Sequence, residues 1–599
     1  MLDESGISNL RGPSSLNSVL YTQGEETLVI SVRREKCSQH HRIFRTDMGA
    51  GISSASLEAL RRRIGIGGVT EVDEEELSGG TSTDGQLARH LGLLELTYLG
   101  MGSIIGAGIY VLVGFTARDI AGPGIVLSYC IAGLTALCSA LSYATLSGRI
   151  SSTGGAFAYA QVIFGDLIAW LCGWSMCLEM TLSSSAVSRG FSAYMHTLLG
   201  RVAQTTSTLD PIALALIIVL SCILCIGIRE SARFNIIVCS LNISCILFVI
   251  CSGMSIADLS HVTENVLPYG MSGVFSAASI VFFSFIGFDY IANASEEAIN
   301  PTRDIPRSII GSLLVASILY VGMSCTMVLM VNYNDIDINA PFSAGFISKG
   351  KSVTAYIVST GALCGIVTST MTGLLANARL LTVLGRHRFL PSALARVFRR
   401  TNTPVIATCA TGSVAGILAF CMDISTLTEL VSAGTLFVFY VVNIGALVLV
   451  TTHGHHESTV PQPCAIAITC ISISPMLCSI LSRFGTIPWM LMGFIGLIWA
   501  VSSLWLHRSI LPTAAQEFSR DGGSNRFFTI WAPAFGVLST GFLFGSLHTS
   551  SLLQFLFFMI VGLVFYAVYG CRQNHDTEKN LENTKDPSTE LISLIGQSH

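Results

Sequence analysis

The densest group of unusual residues is a run of glycines in Gly100-Met101-Gly102-Ser103-Ile104-Ile105-Gly106-Ala107-Gly108-Ile109-Tyr110. It lies inside an apolar segment long enough to cross a bilayer. Each glycine weakens a helix by about 1 kcal/mol relative to alanine. A break at that depth exposes amides and carbonyls, and it survives only where it is buried in protein or lines a cavity. The half-helix beginning after the break would aim free amides and the positive end of its dipole at that cavity. Such an end suits a carboxylate. Two other readings compete. Gly102 and Gly106 have the small-xxx-small spacing of closely packed membrane helices. A nucleotide fingerprint fails, because Gly100-x-Gly102-x-x-x-Gly106 has one residue too many and no strand precedes it.

A second irregularity stands in Phe282-Phe283-Ser284-Phe285-Ile286-Gly287-Phe288-Asp289-Tyr290, where Gly287 neighbours an intramembrane carboxylate. A charge at this depth is costly and usually faces a cavity or a partner. Glu179 is a third polar point, in Trp174-Ser175-Met176-Cys177-Leu178-Glu179-Met180. It reads either as a polar contact near a pathway or as a hydrogen bond between helices. The two glycine-weakened points fall in the first and sixth expected spans. That is the pattern of inverted repeats with discontinuous helices around a midplane site.

The elements that must hold these residues follow from composition. Of 599 residues, 51% are hydrophobic and only 12% charged, against about 25% charged in ordinary globular proteins. So few charges cannot cover a water-facing surface. Segments of about 20 apolar residues can instead cross about 30 Å of hydrocarbon as helices. The fold class is therefore an all-α polytopic membrane protein in the lipid bilayer, with about fourteen spans between residues 94 and 571. The third, at 159–194, and the eighth, at 352–385, are long enough to require tilt or extension beyond the membrane. Asp166 is placed near the cytosolic end of the third.

Lys and Arg in short loops set the orientation. Residues such as Arg149, Arg233, Arg303, Arg307, Arg386 and Arg396 fall on one side, far outnumbering Arg118, Arg201, Lys349, Lys351 and Arg483 on the other. Both termini are expected in the cytosol. No cleavable signal peptide is expected, so the first span would serve as the targeting signal. The expected organisation is a polar, mostly disordered tail at 1–90, a ten-helix core at 91–452, four further helices at 453–571 and a cytosolic tail at 572–599.

Other motifs carry less. The 18 cysteines sit mostly in apolar stretches and read as small buried hydrophobes. His453, His455 and His456 read as a solvated loop, so no metal and no cofactor are expected. Asn242-Ile243-Ser244 and Asn293-Ala294-Ser295 match the glycosylation pattern but fall within spans. Glu590 with Leu594-Ile595 has the spacing of an acidic dileucine sorting signal. The net charge of −4 gives no sign of a nucleic-acid partner. No interfacial cluster of nucleophile, base or metal ligands marks an enzyme. Oligomeric state is not legible.

From Leu91 to about Val450 the chain resembles the cationic amino acid transporters of the amino acid–polyamine–organocation superfamily. The resemblance rests on Gly102 to Tyr110, on Phe282 to Asp289, on Glu230-Ser231-Ala232-Arg233-Phe234-Asn235, and on Glu296-Glu297-Ala298-Ile299-Asn300-Pro301-Thr302-Arg303-Asp304-Ile305-Pro306. It implies a five-plus-five inverted-repeat core that works by alternating access. It also implies residue roles. A substrate carboxylate would meet the amides of Gly106, Ala107 and Gly108. The substrate α-amine would meet carbonyls near Ile104, Phe283, Ser284 and Ile286. Phe283 and Phe285 would be gate or wall residues, and Asp289 and Glu179 the acidic members of the polar network.

Two positions refine what the resemblance implies. Asn242 stands where several relatives carry an intramembrane lysine linked to proton coupling, and asparagine cannot change charge as lysine can. That favours potential-driven movement of a cation, worth about 2.3 kcal/mol per charge per 100 mV. Gly373 aligns with a pocket position where a small residue leaves room for a long side chain, which favours arginine, lysine or ornithine. A proton-coupled carrier of broader or neutral amino acids, and an amino-acid sensor without transport, stay open as alternatives. The expected membrane is the plasma membrane or a vacuolar or other internal membrane.

Overall fold

The computed structural model describes residues 9–11, 17–23, 26–32, 91–150, 154–199, 209–226, 232–263, 266–293, 298–338, 340–398, 403–455, 460–482, 489–517 and 526–570. The chain divides into two units, Met1–Leu57 and Glu58–His599. The smaller unit contains an antiparallel meander of β1 (Asn9–Arg11), β2 (Asn17–Gln23) and β3 (Glu26–Val32). In β2 and β3, Val19 pairs with Ile30 and Gln23 with Glu26. The composition of the whole tail is polar, but Val19-Leu20-Tyr21 and Leu28-Val29-Ile30 are locally rich in strand-favouring residues. The remainder of the expected N-terminal tail, His456, and the 572–599 tail with Glu590 and Leu594-Ile595 lie outside the described residues.

Helices coincide with all fourteen expected spans. The first is broken into α1 (Leu93–Ile104), α2 (Ala107–Tyr110) and α3 (Leu112–Thr116). It is followed by α4 (Ile125–Ser147), α5 (Ala156–Phe164), α6 (Asp166–Leu198), α7 (Pro211–Ile226) and α8 (Ala232–Met254). The sixth is broken into α9 (Gly270–Val281), a 3-10 turn (Phe282–Phe285) and α10 (Asp289–Asn293). Then come α11 (Pro301–Met330), α12 (Ser352–Arg386), α13 (Val405–Cys421) and α14 (Ile424–His455). Four more close the chain: α15 (Gln462–Ser482), α16 (Trp489–Glu517), α17 (Arg526–Ser546) and α18 (Thr549–Phe565).

Among the described residues, eight helical stretches are long and apolar enough to cross a membrane, and four shorter apolar helices accompany them. The polar α6 is in neither group. It carries buried Ser175, Glu179, Thr181, Ser184, Ser185, Ser188 and Ser192. A membrane helix can be this polar when protein rather than lipid surrounds it, and α6 packs chiefly against α12 and α14.

The long third segment is two helices rather than one tilted helix. Gly165, at φ +85°, ends α5 in a conformation that side chains rarely adopt. Asp166 opens α6 and accepts a hydrogen bond from Gln161 Nε2 at 3.1 Å. The eighth segment is continuous. Its 35 residues span about 52 Å, well past ~30 Å of hydrocarbon.

The last four helices pack onto the core within the same unit: α17 lies against α14 and α4, and α18 against α14 and α6. Two tryptophans fasten α18. Trp170 Nε1 donates to the Gly562 carbonyl at 2.8 Å, and Trp174 Nε1 donates to that of Phe558 at 3.1 Å. On the other side of α18, Leu553, Phe557, Ile560 and Val564 are exposed at helical spacing, as a lipid-facing stripe requires.

Candidate functional site

The two broken spans meet. In the first, α1 stops at Ile104, and Ile105 leaves helical geometry at φ −80°, ψ 86°. The Gly106 amide then turns back to the Ile104 carbonyl at 2.9 Å. That amide is therefore engaged. The amides of Ala107 and Gly108 open α2, where a helix offers its first donors no partner of its own. Gly108 is a glycine because the second broken span passes against it. A Cβ there would lie 2.6 Å from Ser284 Cα.

The second break turns at Ile286, which is extended at φ −67°, ψ 144°, and at Gly287, at φ +119°. The Ile286 amide donates to the Phe283 carbonyl at 3.2 Å. Asp289 folds over its own turn, its Oδ1 accepting the Gly287 amide at 3.2 Å.

Breaking two helices frees carbonyls in a place without water, and other helices satisfy them. The Tyr320 hydroxyl, from α11, lies 2.8 Å from the Ile104 carbonyl and 3.0 Å from that of Ser284. One hydroxyl thus ties both breaks together. Tyr129 of α4 donates to the Gly108 carbonyl at 3.3 Å. Tyr194 of α6 donates to the Tyr110 carbonyl at 2.7 Å. Ser369 of α12 donates to the Ser103 carbonyl at 3.3 Å. Asn242 of α8 donates to the Ile105 carbonyl at 3.3 Å and accepts the Tyr110 hydroxyl at 2.7 Å.

Asn242 is therefore a strut across the first break. Replacing it with leucine should strand the Ile105 carbonyl and the Tyr110 hydroxyl, at about 1–3 kcal/mol for each unsatisfied buried group. The expected result is a lower unfolding midpoint of the detergent-solubilised protein. An unchanged midpoint would show that the strut carries no load.

Between the breaks lies a small cavity of about 20 Å³. Of the residues proposed from the sequence, Ile104, Gly106, Gly108, Phe283, Ser284, Ile286 and Gly373 line it. Ala107 lies between two of them, and its side chain is outside the described residues. Ser103 and Ser369, Ser183 and Val187 of α6, and Tyr290 complete the lining. These five, like the hydroxyl struts, were not singled out from the sequence. For all but Val187 the signal was a tyrosine or serine in mid-span, where a hydroxyl needs a partner. That signal does not say which partner.

Phe285 is fully buried and is not among the residues that line the cavity; its ring centroid lies 5.2 Å from that of Tyr320 and 6.3 Å from that of Tyr129. The cause is the 3-10 turn, in which residues three apart share a side. Phe283 and Ile286 face the cavity, so Phe282 and Phe285 face the protein.

Glu179 and Asp289 do not line the cavity but lie behind it. Glu179 stands one helical turn before Ser183 and two before Val187, on the strip of α6 that faces the site. It is 1% exposed, and its Oε1 has no hydrogen-bond partner among the described residues. Asp289 is close enough for the two carboxylates to feel each other's charge. The Tyr143 hydroxyl nearby is also buried without a hydrogen-bond partner among the described residues. Among the described residues no group of three or more His, Cys, Asp or Glu could hold a metal ion.

The family profile described as amino acid permease matches residues 91–506. Similar curated proteins come from Arabidopsis thaliana. Cationic amino acid transporter 7, chloroplastic, is 34% identical over 521 residues, covering 82% of this chain and 87% of that protein. Cationic amino acid transporter 1 is 32% identical over 527 residues, covering 85% and 87%. Cationic amino acid transporter 4, vacuolar, is 37% identical over 381 residues, covering 61% and 64%.

Proposed function

The chain belongs to the amino acid permease family, and on that premise we propose that it carries cationic amino acids across a membrane by alternating access. The observation that carries this reading is the cavity enclosed by the two helix breaks. A substrate carboxylate sits at the amides of Ala107 and Gly108, where the outer half-helix begins. The α-amine sits among the carbonyls of the second break, at Ser284 and Ile286. The side chain extends between α6 and α12, past Ser183, Val187, Ser369 and Gly373.

Two features favour a cation in that extension. Gly373 lines the cavity without a side chain of its own, which leaves room there for a long substrate side chain. Glu179, whose Oε1 has no hydrogen-bond partner among the described residues, offers an acceptor beyond Ser183 for a donor-rich side-chain head group. The names of the similar plant proteins point the same way.

The driving force is the membrane potential. Asn242 is fixed between Tyr110 and Ile105, and its amide cannot change charge by gaining or losing a proton in the physiological range. The excess of Lys and Arg in alternate loops supports an orientation with both termini in the cytosol.

The test is uptake of labelled arginine by the purified full-length protein in liposomes. Uptake should saturate, should rise when the interior is made negative with a potassium gradient and valinomycin, and should need no pH gradient. Absence of uptake of any amino acid would sink the transport reading. Uptake that requires a pH gradient at zero potential would sink the assignment of Asn242.

A further inference from the structure

α7 and α13 cross closely and in a fixed antiparallel register. A Cβ on Gly416 would lie 2.9 Å from Leu214 Cδ1 and 3.8 Å from Ile217 Cγ2. One on Gly412 would lie 2.2 Å from Ser221 Oγ. Residue numbers rise along α13 as they fall along α7, so one more turn along this seam pairs positions near 409 and 225. Both are cysteines, and their Sγ atoms are 3.7 Å apart. Small residues at the preceding contact let the backbones approach, which brings the pair toward the Cα separation of about 4.4–6.8 Å that a disulfide spans.

The pair opens outward and away from the substrate cavity. Cys409 is exposed and Cys225 half-buried. Ile226 and Ile406, beside them, are exposed and apolar at 69% and 44%. This rim belongs to the lipid-facing surface near the end of both helices. Neither cysteine lines the cavity or touches a break.

We propose that Cys225 and Cys409 form a redox-sensitive modification site, converted by lipid hydroperoxides into a disulfide that joins α7 to α13. The exposed Cys409 sulfur attacks a peroxide oxygen. The O–O bond breaks, the lipid leaves as its alcohol, and Cys409 becomes a sulfenic acid. Cys225 sulfur then attacks the Cys409 sulfur. The S–S bond forms and the sulfenic oxygen departs as water with the thiol proton. Overall, two thiols lose two electrons and two protons, and one hydroperoxide is reduced. The bond closes a loop that contains the second helix break, α11 and α12.

The experiment uses the full-length protein in liposomes exposed to cumene hydroperoxide, followed by alkylation of remaining thiols, proteolysis and peptide mass spectrometry. A peptide pair linked through Cys225 and Cys409 should be found, and dithiothreitol should abolish it. Cys409→Ser and Cys225→Ser should each lose the link while keeping wild-type arginine uptake in the absence of oxidant. Three results would overturn the proposal: both thiols alkylated after peroxide, Cys409 linked to the neighbouring Cys222 instead, or Cys409 carried to a sulfinic or sulfonic acid with Cys225 still alkylated. None of these outcomes depends on which solute the protein carries.

Discussion

Gly287→Ala should nearly abolish amino-acid uptake while the protein still reaches the membrane. At φ +119° the backbone is in a region that only glycine enters freely. The added methyl would lie 2.9 Å from the Ser103 carbonyl carbon and 3.1 Å from the Ile104 nitrogen. Both are backbone atoms of the other broken span, so no side-chain rotation relieves the contact. Backbone strain of about 1–3 kcal/mol and overpacking of about 1–3 kcal/mol both fall on the conformation that brings the two breaks together. At about 1.4 kcal/mol per tenfold, uptake should drop by roughly 100-fold or more. The check is the initial rate of arginine uptake, normalised to folded protein by size-exclusion chromatography of a fluorescent fusion. A wild-type rate would mean that the breaks need not approach each other for transport.

Tyr320→Phe is the second large effect. The substitution keeps the ring against Phe285 and Tyr129 and removes only the hydroxyl between the Ile104 and Ser284 carbonyls. Ile104 retains the Gly106 amide, whereas the Ser284 carbonyl loses the link to α11. The loss is about 1–3 kcal/mol, or roughly 10- to 100-fold in uptake if the hydroxyl holds the two breaks in their working geometry. A purely structural role would lower the unfolding midpoint and leave the rate per folded molecule unchanged. The comparison of rate with midpoint therefore decides between the two.

Much of the fold was legible because its causes are local. A run of apolar residues selects a membrane helix wherever it occurs, and the fourteen expected segments meet helices. The breaks at Gly106 and Gly287 were legible for the same reason, since glycine weakens a helix from within. What local pattern misjudged was subtler. Gly165 is a single glycine in an apolar stretch and read as part of one span, yet its positive φ divides the stretch into α5 and α6. The β2–β3 pairing was hidden by averaging composition over a polar tail.

The site was legible only in outline. The family resemblance grouped Phe283 and Phe285 as gate or wall residues, and nothing in the sequence specifies that the turn between them is 3-10 rather than α. That choice of turn sends Phe283 to the cavity and Phe285 into the packed interior. Glu179 was legible as an expensive carboxylate, but its position one turn behind Ser183 needed the cavity to be seen.

By itself, then, the sequence determined that this chain lives in a bilayer, that two of its helices break there, and that acids stand near the breaks. These follow from the free energy of placing each residue in hydrocarbon, which is a property of residue type. Only the tertiary structure decided which groups repair the breaks. Tyr320 reaches Ile104 across 216 positions, and Asn242 reaches Ile105 across 137. It also decided that Cys225 would meet Cys409 across 184. A hydroxyl, an amide or a thiol in mid-span announces that it needs a partner, but any of several helices could supply one. The packing of the whole bundle selects among them.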